Sequence, residues 1–400
     1  MTIERRAAAQ AAAGVGIMFA SNGVIFAALL PWYPLIAARL ELNPVEFGFI
    51  VASFAVGALL SSAVPAPLVA RFGPARVAVA GTALLAIAIA SAAWMTTGWA
   101  FALCVFLAGF FDAIVDVAQN VAGIRVQDQI SRPILSSLHA LWSLGGLLGA
   151  AVATTVAATG ALDIRVHLAI VAVASVALVA TGAMLSRRLA RTPQAARHSP
   201  AEGNSGRKLW RIVFLAAAPL VVVAICGTMV EDVGNNWAAM AGVQIGGMAP
   251  EIAGVAFSVM IGSQCIGRFT GDLLIKRFGG SAVARTGGVL IALGGALIVA
   301  TSGNPWLVLA GFALAGYGSA TLVPSALSAA AKIPGISEGA GVTIVSWLMR
   351  VGLLITSPII GTVTNSVGLR WALSVLLVIG AASMVFASSL REPGSQTRER

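Results

Sequence analysis

Apolar residues in this chain come in long runs, separated at regular intervals by short stretches of glycine, proline and charge. An apolar run of about 20 residues lets an α-helix cross about 30 Å of hydrocarbon, whereas barrel strands would alternate apolar and polar positions over about ten residues. The breaks predict twelve helices, near residues 13–38, 46–70, 75–95, 98–125, 134–160, 164–187, 210–234, 250–276, 281–301, 304–330, 338–365 and 369–390.

Composition sharpens this into a class. Hydrophobic residues make up 58% of the 400 and charged residues 10%, with a mean hydropathy of +0.92. Soluble domains carry about a quarter charged residues, so this is a polytopic membrane protein of the all-α kind, embedded in lipid. The first apolar run continues to Ala38, too long for a signal-peptide core, and is read as a retained first helix. A formal net charge of +10 raises nucleic acid as a partner, and its placement argues against that. Lys and Arg occupy alternate loops: Arg71 and Arg76, Arg125 and Arg132, residues 187–211, then Lys276, Arg277 and Arg285. The other loops hold Glu41, Glu46, Asp163 with Arg165, and the acidic set Glu231, Asp232 and Glu251. That bias predicts both termini on the cytoplasmic side of a cell membrane. Cys104, Cys226 and Cys265 each fall inside a span, with no disulfide framework or CxxC site in view.

The segment 187–209 is the one shift in composition, rich in Arg, Pro and Gly with the single acid Glu202. It predicts a basic cytoplasmic linker between a six-helix half at 1–186 and another at 210–390, followed by a tail at 391–400. The halves repeat weakly. Arg71-Phe72-Gly73 recurs as Arg277-Phe278-Gly279, and Trp32 and Trp142 recur in nearly the same register as Trp237 and Trp347. Duplication of a six-helix unit is a common architecture of secondary transporters.

With these features the chain resembles the major facilitator superfamily, whose loop between helices 2 and 3 carries a G-x-x-x-D-R-x-G-R-R motif. Ala66 and Ala70 replace its Gly and Asp, while Arg71, Gly73 and Arg76 remain. Gly267-Arg268, Gly271-Asp272 and Arg277-Phe278-Gly279 form the second copy. DVAQN at 116–120, RPILSSLHALWSLGG at 132–146 and GRFTGD at 267–272 resemble an uncharacterised bacterial branch sometimes labelled fucose-permease-like. The resemblance implies two pseudo-symmetric six-helix halves and a cytoplasmic gate at Arg71, Gly73, Arg76, Arg268, Asp272 and Arg277. With Ala70 in place of the acid, that task shifts towards Arg268 and Asp272, four apart on one helix face and able to pair.

Polar residues inside the spans are the candidates for function, since ionisable groups are expensive there. Asp112, Asp116 and Asn120 stack on one face of helix 4. At 1.5 Å per residue Asp112 lies about 21 Å deep and Asp116 about 27 Å deep. The helix 4–5 hairpin brings His139, Trp142 and Ser143 to similar depth, so Asp116, Asn120, His139, Trp142 and Ser143 form one expected cluster. A carboxylate beside a histidine suits uptake and release of a proton. The competing reading is a hydrogen-bonded clasp between helices 4 and 5. Arg350 in helix 11 needs a counter-charge and is expected either to pair with Asp112 or to hold an anionic substrate. Near the outer end of helix 7, Glu231, Asn236 and Trp237 suit a polyhydroxy or amphipathic ligand, although a tryptophan at an interface can simply be an anchor. Asn22 and Tyr317 complete the expected cavity wall.

These cues favour a secondary active transporter of a small solute, a sugar or small organic molecule, coupled to protons and working by alternating access as a monomer without a cofactor. Asp112 or Asp116 would carry the proton with His139 as modulator. The alternatives are a drug or metabolite efflux antiporter and a sensor built on a transporter scaffold. An intramembrane enzyme is disfavoured by the lack of HExxH, and an ATP-driven pump by the lack of G-x-x-x-x-G-K-[ST]. A channel is disfavoured by polar residues that are clustered rather than ringed.

Overall fold

A computed structural model of the chain describes residues 2–130, 134–186, 207–333 and 338–390, and every regular element among them is helical. The long helices are α1 (Thr2–Ala27), α2 (Pro44–Leu60), α3 (Pro74–Ala92), α4 (Gly98–Ile130), α5 (Leu135–Thr159), α6 (Ile164–Ser186), α7 (Arg207–Asp232), α8 (Gly254–Phe278), α9 (Gly280–Ala300), α10 (Pro305–Ser319), α11 (Glu338–Val367) and α12 (Val375–Phe386). Among the described residues eleven segments are long and apolar enough to span a membrane. α8 has the length, at 25 residues, and is made more polar by Gln264 and Arg268. Most of the linker, at 187–206, and the tail at 391–400 lie outside the described residues.

Local chemistry sets the ends. Asn43 caps α2 in a reciprocal capping box with Glu46, and Pro44 takes the first helical position, where its missing N–H costs nothing. Asn304 caps α10 without a reciprocal partner, accepting from the backbone N–H of Trp306 and Leu307. Proline also explains where spans read as continuous are broken. Helix 1 ends at Ala27 and resumes as Leu30–Trp32 and Tyr33–Arg39, around Pro31 and Pro34. Helix 2 pauses at Ser61–Ala63 and restarts at Pro65, running to Phe72. Helix 10 ends at Ser319 and continues as Leu322–Ala330.

Helix 7 departs most from expectation. It does not stop near residue 234: α7 passes through a π turn at Val233–Trp237 into a further helix, Ala238–Gln244. The apolar span is Ala217–Gln244, so Glu231 and Asp232 sit at its middle and not at its outer end.

By contact the chain divides into two compact units, residues 1–196 with 249–258, and 197–248 with 259–400. In the first, α1 packs on α5 and α6, α4 packs on α2 and α3, and α3 packs on α6. In the second, α7 packs on α11 and α12, α9 packs on α10, and α9 packs on α12. After a shift of six helices each of these second-unit pairs matches one in the first. The Arg-Phe-Gly turns match in detail: Gly73 has φ 82° and ψ 152°, and Gly279 has φ 83° and ψ 151°. Each preceding arginine lies 5.2 Å from the ring of its phenylalanine, Arg71 over Phe72 and Arg277 over Phe278. A positive φ with extended ψ is open only to glycine, which is why the motif ends in one.

Lipid supplies little drive for helices to associate, so backbone approach and dispersion have to do it. The α1–α5 seam shows how. A methyl group added at Gly145 would overlap the Ala20 carbonyl, and one at Gly23 the Trp142 carbonyl. Leu148, Val152, Ile170 and Val173 face outward as a lipid-compatible surface. Trp99 and Trp306, at the first turns of α4 and α10, are exposed in the manner of interfacial anchors. The three cysteines are free and buried.

Candidate functional site

In the first unit the carboxylates of α4 meet amides. Asn22, buried on α1, is the side-chain partner of Asp112. One turn along, Asn120 Nδ2 donates to Asp116 Oδ1 at 2.9 Å and to the Asp116 carbonyl at 2.9 Å. His139 Nε2 lies 3.2 Å from Asn120 Oδ1 and, with that oxygen accepting, carries the proton of the contact. Asp116, Asn120 and His139 therefore form a chain in which the amide joins carboxylate to imidazole. The Phe19 ring and the imidazole make a T-shaped contact, with centroids 5.3 Å apart.

The rest of the expected cluster is turned elsewhere. Trp142 packs on Phe26 of α1 at 5.5 Å, and Ser143 Oγ donates back to the His139 carbonyl at 3.2 Å. His167 is buried in α6, where its Nδ1 accepts from Trp32 Nε1 at 3.3 Å. Trp32 gave no hint of that partner, since the two are far apart in sequence.

In the second unit two adjacent carboxylates on α7 have opposite kinds of partner. Glu231 Oε1 accepts from Arg268 at 2.6 Å and from Gln264 Nε2 at 2.9 Å, both on α8. This corrects two expectations. Arg268 is turned to Glu231 and not to Asp272, and it stands midway along α8, while Asp272 is exposed further on. Asp232 faces α11 instead. Its Oδ1 accepts from Asn236 Nδ2 at 2.8 Å and its Oδ2 from the Ser357 hydroxyl. Ser357 Oγ in turn accepts from Trp237 Nε1 at 3.0 Å and Asn236 Nδ2 at 3.2 Å.

All four members of that network are buried: Asp232 is 5% exposed, Asn236 9%, Trp237 0% and Ser357 0%. Trp237 therefore offers no open face for a ligand to stack on, and the Asn236 amide donors are committed within the protein. The expectation that these two residues line the cavity as sugar contacts is overturned, because the π turn carries them into the α7–α11 seam. In an α-helix residues five apart point about 140° away from each other. The π turn lets Asp232 and Trp237 address the same serine. Ser357, next to Pro358 inside α11, is a polar residue that the sequence pattern did not single out.

Tyr317 on α10 is half-buried, with its hydroxyl 3.0 Å from Thr270 Oγ1 on α8. Arg350 is half-buried on α11. It belongs to the second unit and Asp112 to the first, so their pairing stays an expectation. Arg71 and Arg76 are exposed at the Arg-Phe-Gly turn. Among the described residues no group of three His, Cys, Asp or Glu side chains is placed to hold a metal ion.

A helical, polytopic, internally repeated chain with carboxylates and amides at membrane depth defines a solute transporter rather than an enzyme. The chain belongs to the Major Facilitator Superfamily, whose family model matches residues 15–244. It is 26% identical over 381 residues to an uncharacterized transporter, y4wD, of Sinorhizobium fredii (strain NBRC 101917 / NGR234), covering 95% of this chain and 98% of that protein. Among solved structures it resembles the nucleoside transporter NupG, with TM-score 0.66 at 15% identity, covering 96% of this chain and 98% of the other. It also resembles the fucose:proton symporter FucP of E. coli, with TM-score 0.59 at 17% identity, covering 96% and 98%.

Proposed function

We propose that this transporter moves a small polar organic solute by alternating access, coupled to protons, with Asp116 as the proton carrier of the first unit. The observation that carries the reading is the contact chain from Asp116 through Asn120 to His139. A carboxylate and an imidazole joined by one amide, at depth in a span, give a proton two neighbouring resting places. Asp112, one turn away with Asn22, is the second acceptor on the same helix face. Proton coupling in the fucose:proton symporter of similar fold supports the reading. With Trp237 and Asn236 withdrawn from the cavity wall, the sugar cue rests on the structural neighbours alone. Arg350 remains the candidate contact for a carboxylate or phosphate. The alternation of basic loops supports termini on the cytoplasmic side.

The test is substrate-dependent proton movement in proteoliposomes, screening sugars, nucleosides, organic acids and hydrophobic cations. A solute that moves protons with the wild type and not with Asp116→Asn supports coupling at Asp116 and names the substrate class. A mutant that still couples makes the Asp116–Asn120–His139 chain a structural clasp.

A further inference from the structure

We infer that Asp232 is a second proton site, and that the proton it takes up unfastens α7 from α11 at the π turn. The argument is a count of donors and acceptors. A serine hydroxyl has one proton and two lone pairs. Ser357 spends the proton on Asp232 Oδ2 and both lone pairs on Trp237 Nε1 and Asn236 Nδ2. The other carboxylate oxygen takes the second Asn236 N–H. Every donor in the network is spent on Asp232 or on Ser357, and every position on Ser357 is filled.

Such a network fits a carboxylate and does not fit a carboxylic acid. A proton placed on Oδ2 meets a serine that is itself donating. To accept, Ser357 must turn its own proton away and release either Trp237 or Asn236. A proton placed on Oδ1 meets the Asn236 amide nitrogen, which cannot accept. If the amide flips to present its oxygen, Nδ2 leaves Ser357. On either of the two carboxylate lone pairs still free the proton would leave these bonds in place but stand as a buried donor with no acceptor in the network. By every route a bond of the clasp is lost or a donor is unmet, and at full burial that is costly enough to move side chains.

Both helices are already interrupted at this point. The α-helical ladder of α7 gives way to the π turn at Val233–Trp237, and Pro358 inside α11 leaves the carbonyl of Leu354 without its usual donor. A clasp between two interrupted ladders can open without breaking a regular helix.

Other charges do not satisfy Asp232. Among the described residues its hydrogen-bond partners are the neutral Asn236 and Ser357. Of the titratable groups on the elements packed around it, Glu231 beside it on α7 is engaged by Arg268 of α8. Cys226 lies on α7, Cys265 on α8, Tyr317 on α10 and Arg350 on α11; Arg207, Lys208 and Arg211 belong to the first turns of α7, Asp272, Lys276 and Arg277 to the last turns of α8 and Glu338 to the start of α11, while Leu322–Ala330 and α12 carry none. The clasp is closed at high pH and opens as pH falls. Its use in transport rests on the proton-coupled reading above, but the site itself can be tested without substrate.

The experiment uses the full chain in lipid nanodiscs with no substrate, and follows two signals as pH is lowered. One is the infrared band of a protonated carboxyl group. The other is the indole N–H resonance of Trp237, identified by its loss in Trp237→Phe. The expected result is one component of the carboxyl band, assigned by its loss in Asp232→Asn, that grows in the wild type and shares its midpoint with a shift of the Trp237 resonance. In Ser357→Ala the band should persist while the Trp237 resonance stops titrating. Asp116→Asn should lose at most a component of its own and keep both the Asp232 component and the linked Trp237 shift, which separates this site from the one on α4. A band that survives intact in Asp232→Asn, or a Trp237 resonance indifferent to pH in the wild type, would overturn the inference.

Discussion

An arginine and a glutamate that hold each other inside a helix bundle reveal their worth when one is removed alone. Arg268→Gln leaves Glu231 with only Gln264 of the two partners described for it. For a fully buried pair such a loss costs about 3–5 kcal/mol. Here the side chains are 25% and 28% exposed, so water offsets part of it and a smaller drop is expected. Adding Glu231→Gln should recover most of the loss, because the stranded charge goes with it. Thermal unfolding of the four species in a double-mutant cycle measures this, and a double variant no more stable than Arg268→Gln alone would show that the pair is not coupled. At the same scale, Asn120→Ala removes the joint between Asp116 and His139. It should lower substrate-driven proton flux while leaving expression intact, and a flux equal to wild type would disconnect the histidine from the carboxylate.

Helices in this protein are limited by two different properties of glycine, and substitutions separate them. Gly73→Ala and Gly279→Ala meet no atom within 4 Å, so any loss comes from the backbone angle alone, of order 1–3 kcal/mol. The twin geometry predicts equal losses at the two turns. Gly145→Ala has no such strain, yet its methyl group would enter the Ala20 backbone across the α1–α5 seam. Overpacking of this kind costs about 1–3 kcal/mol. Unequal effects of the two turn variants on the melting temperature would count against the shared geometry. These elements also show what a sequence discloses. Arg-Phe-Gly could be read directly, since only glycine meets the turn's angles. The end of helix 7 could not, because Gly234, Asn235 and Asn236 look like a terminator, and it is tertiary bonding to Ser357 that keeps the backbone winding as a π turn. That one misplaced end moved Glu231, Asn236 and Trp237 to the wrong depth and the wrong surroundings.

For the whole molecule, lipid made the architecture legible. With no water to satisfy backbone groups, each crossing must be a helix of about 20 residues, and the hydropathy pattern reports it. The site was legible only where one helix carried it, as Asp116 and Asn120 do on α4, with His139 reached through a short hairpin. Contacts between distant segments, Asp232 with Ser357 or Trp32 with His167, leave no periodic trace. The absence of a phosphate-binding loop from the sequence leads to a prediction at this scale. Proteoliposomes with an imposed pH gradient and no nucleotide should accumulate the solute identified in the screen, and accumulation that requires ATP would contradict a secondary mechanism.

The burial of Cys104, Cys226 and Cys265 bears on how the protein can be watched. Maleimides react with a thiolate that water can reach, and these three residues are 8%, 3% and 6% exposed. The native chain is in effect a quiet background for labelling. A cysteine placed at an exposed position such as Arg76 or Asp272 would be the first to take up a fluorophore, so motion can be followed by dye pairs with the original cysteines left in place.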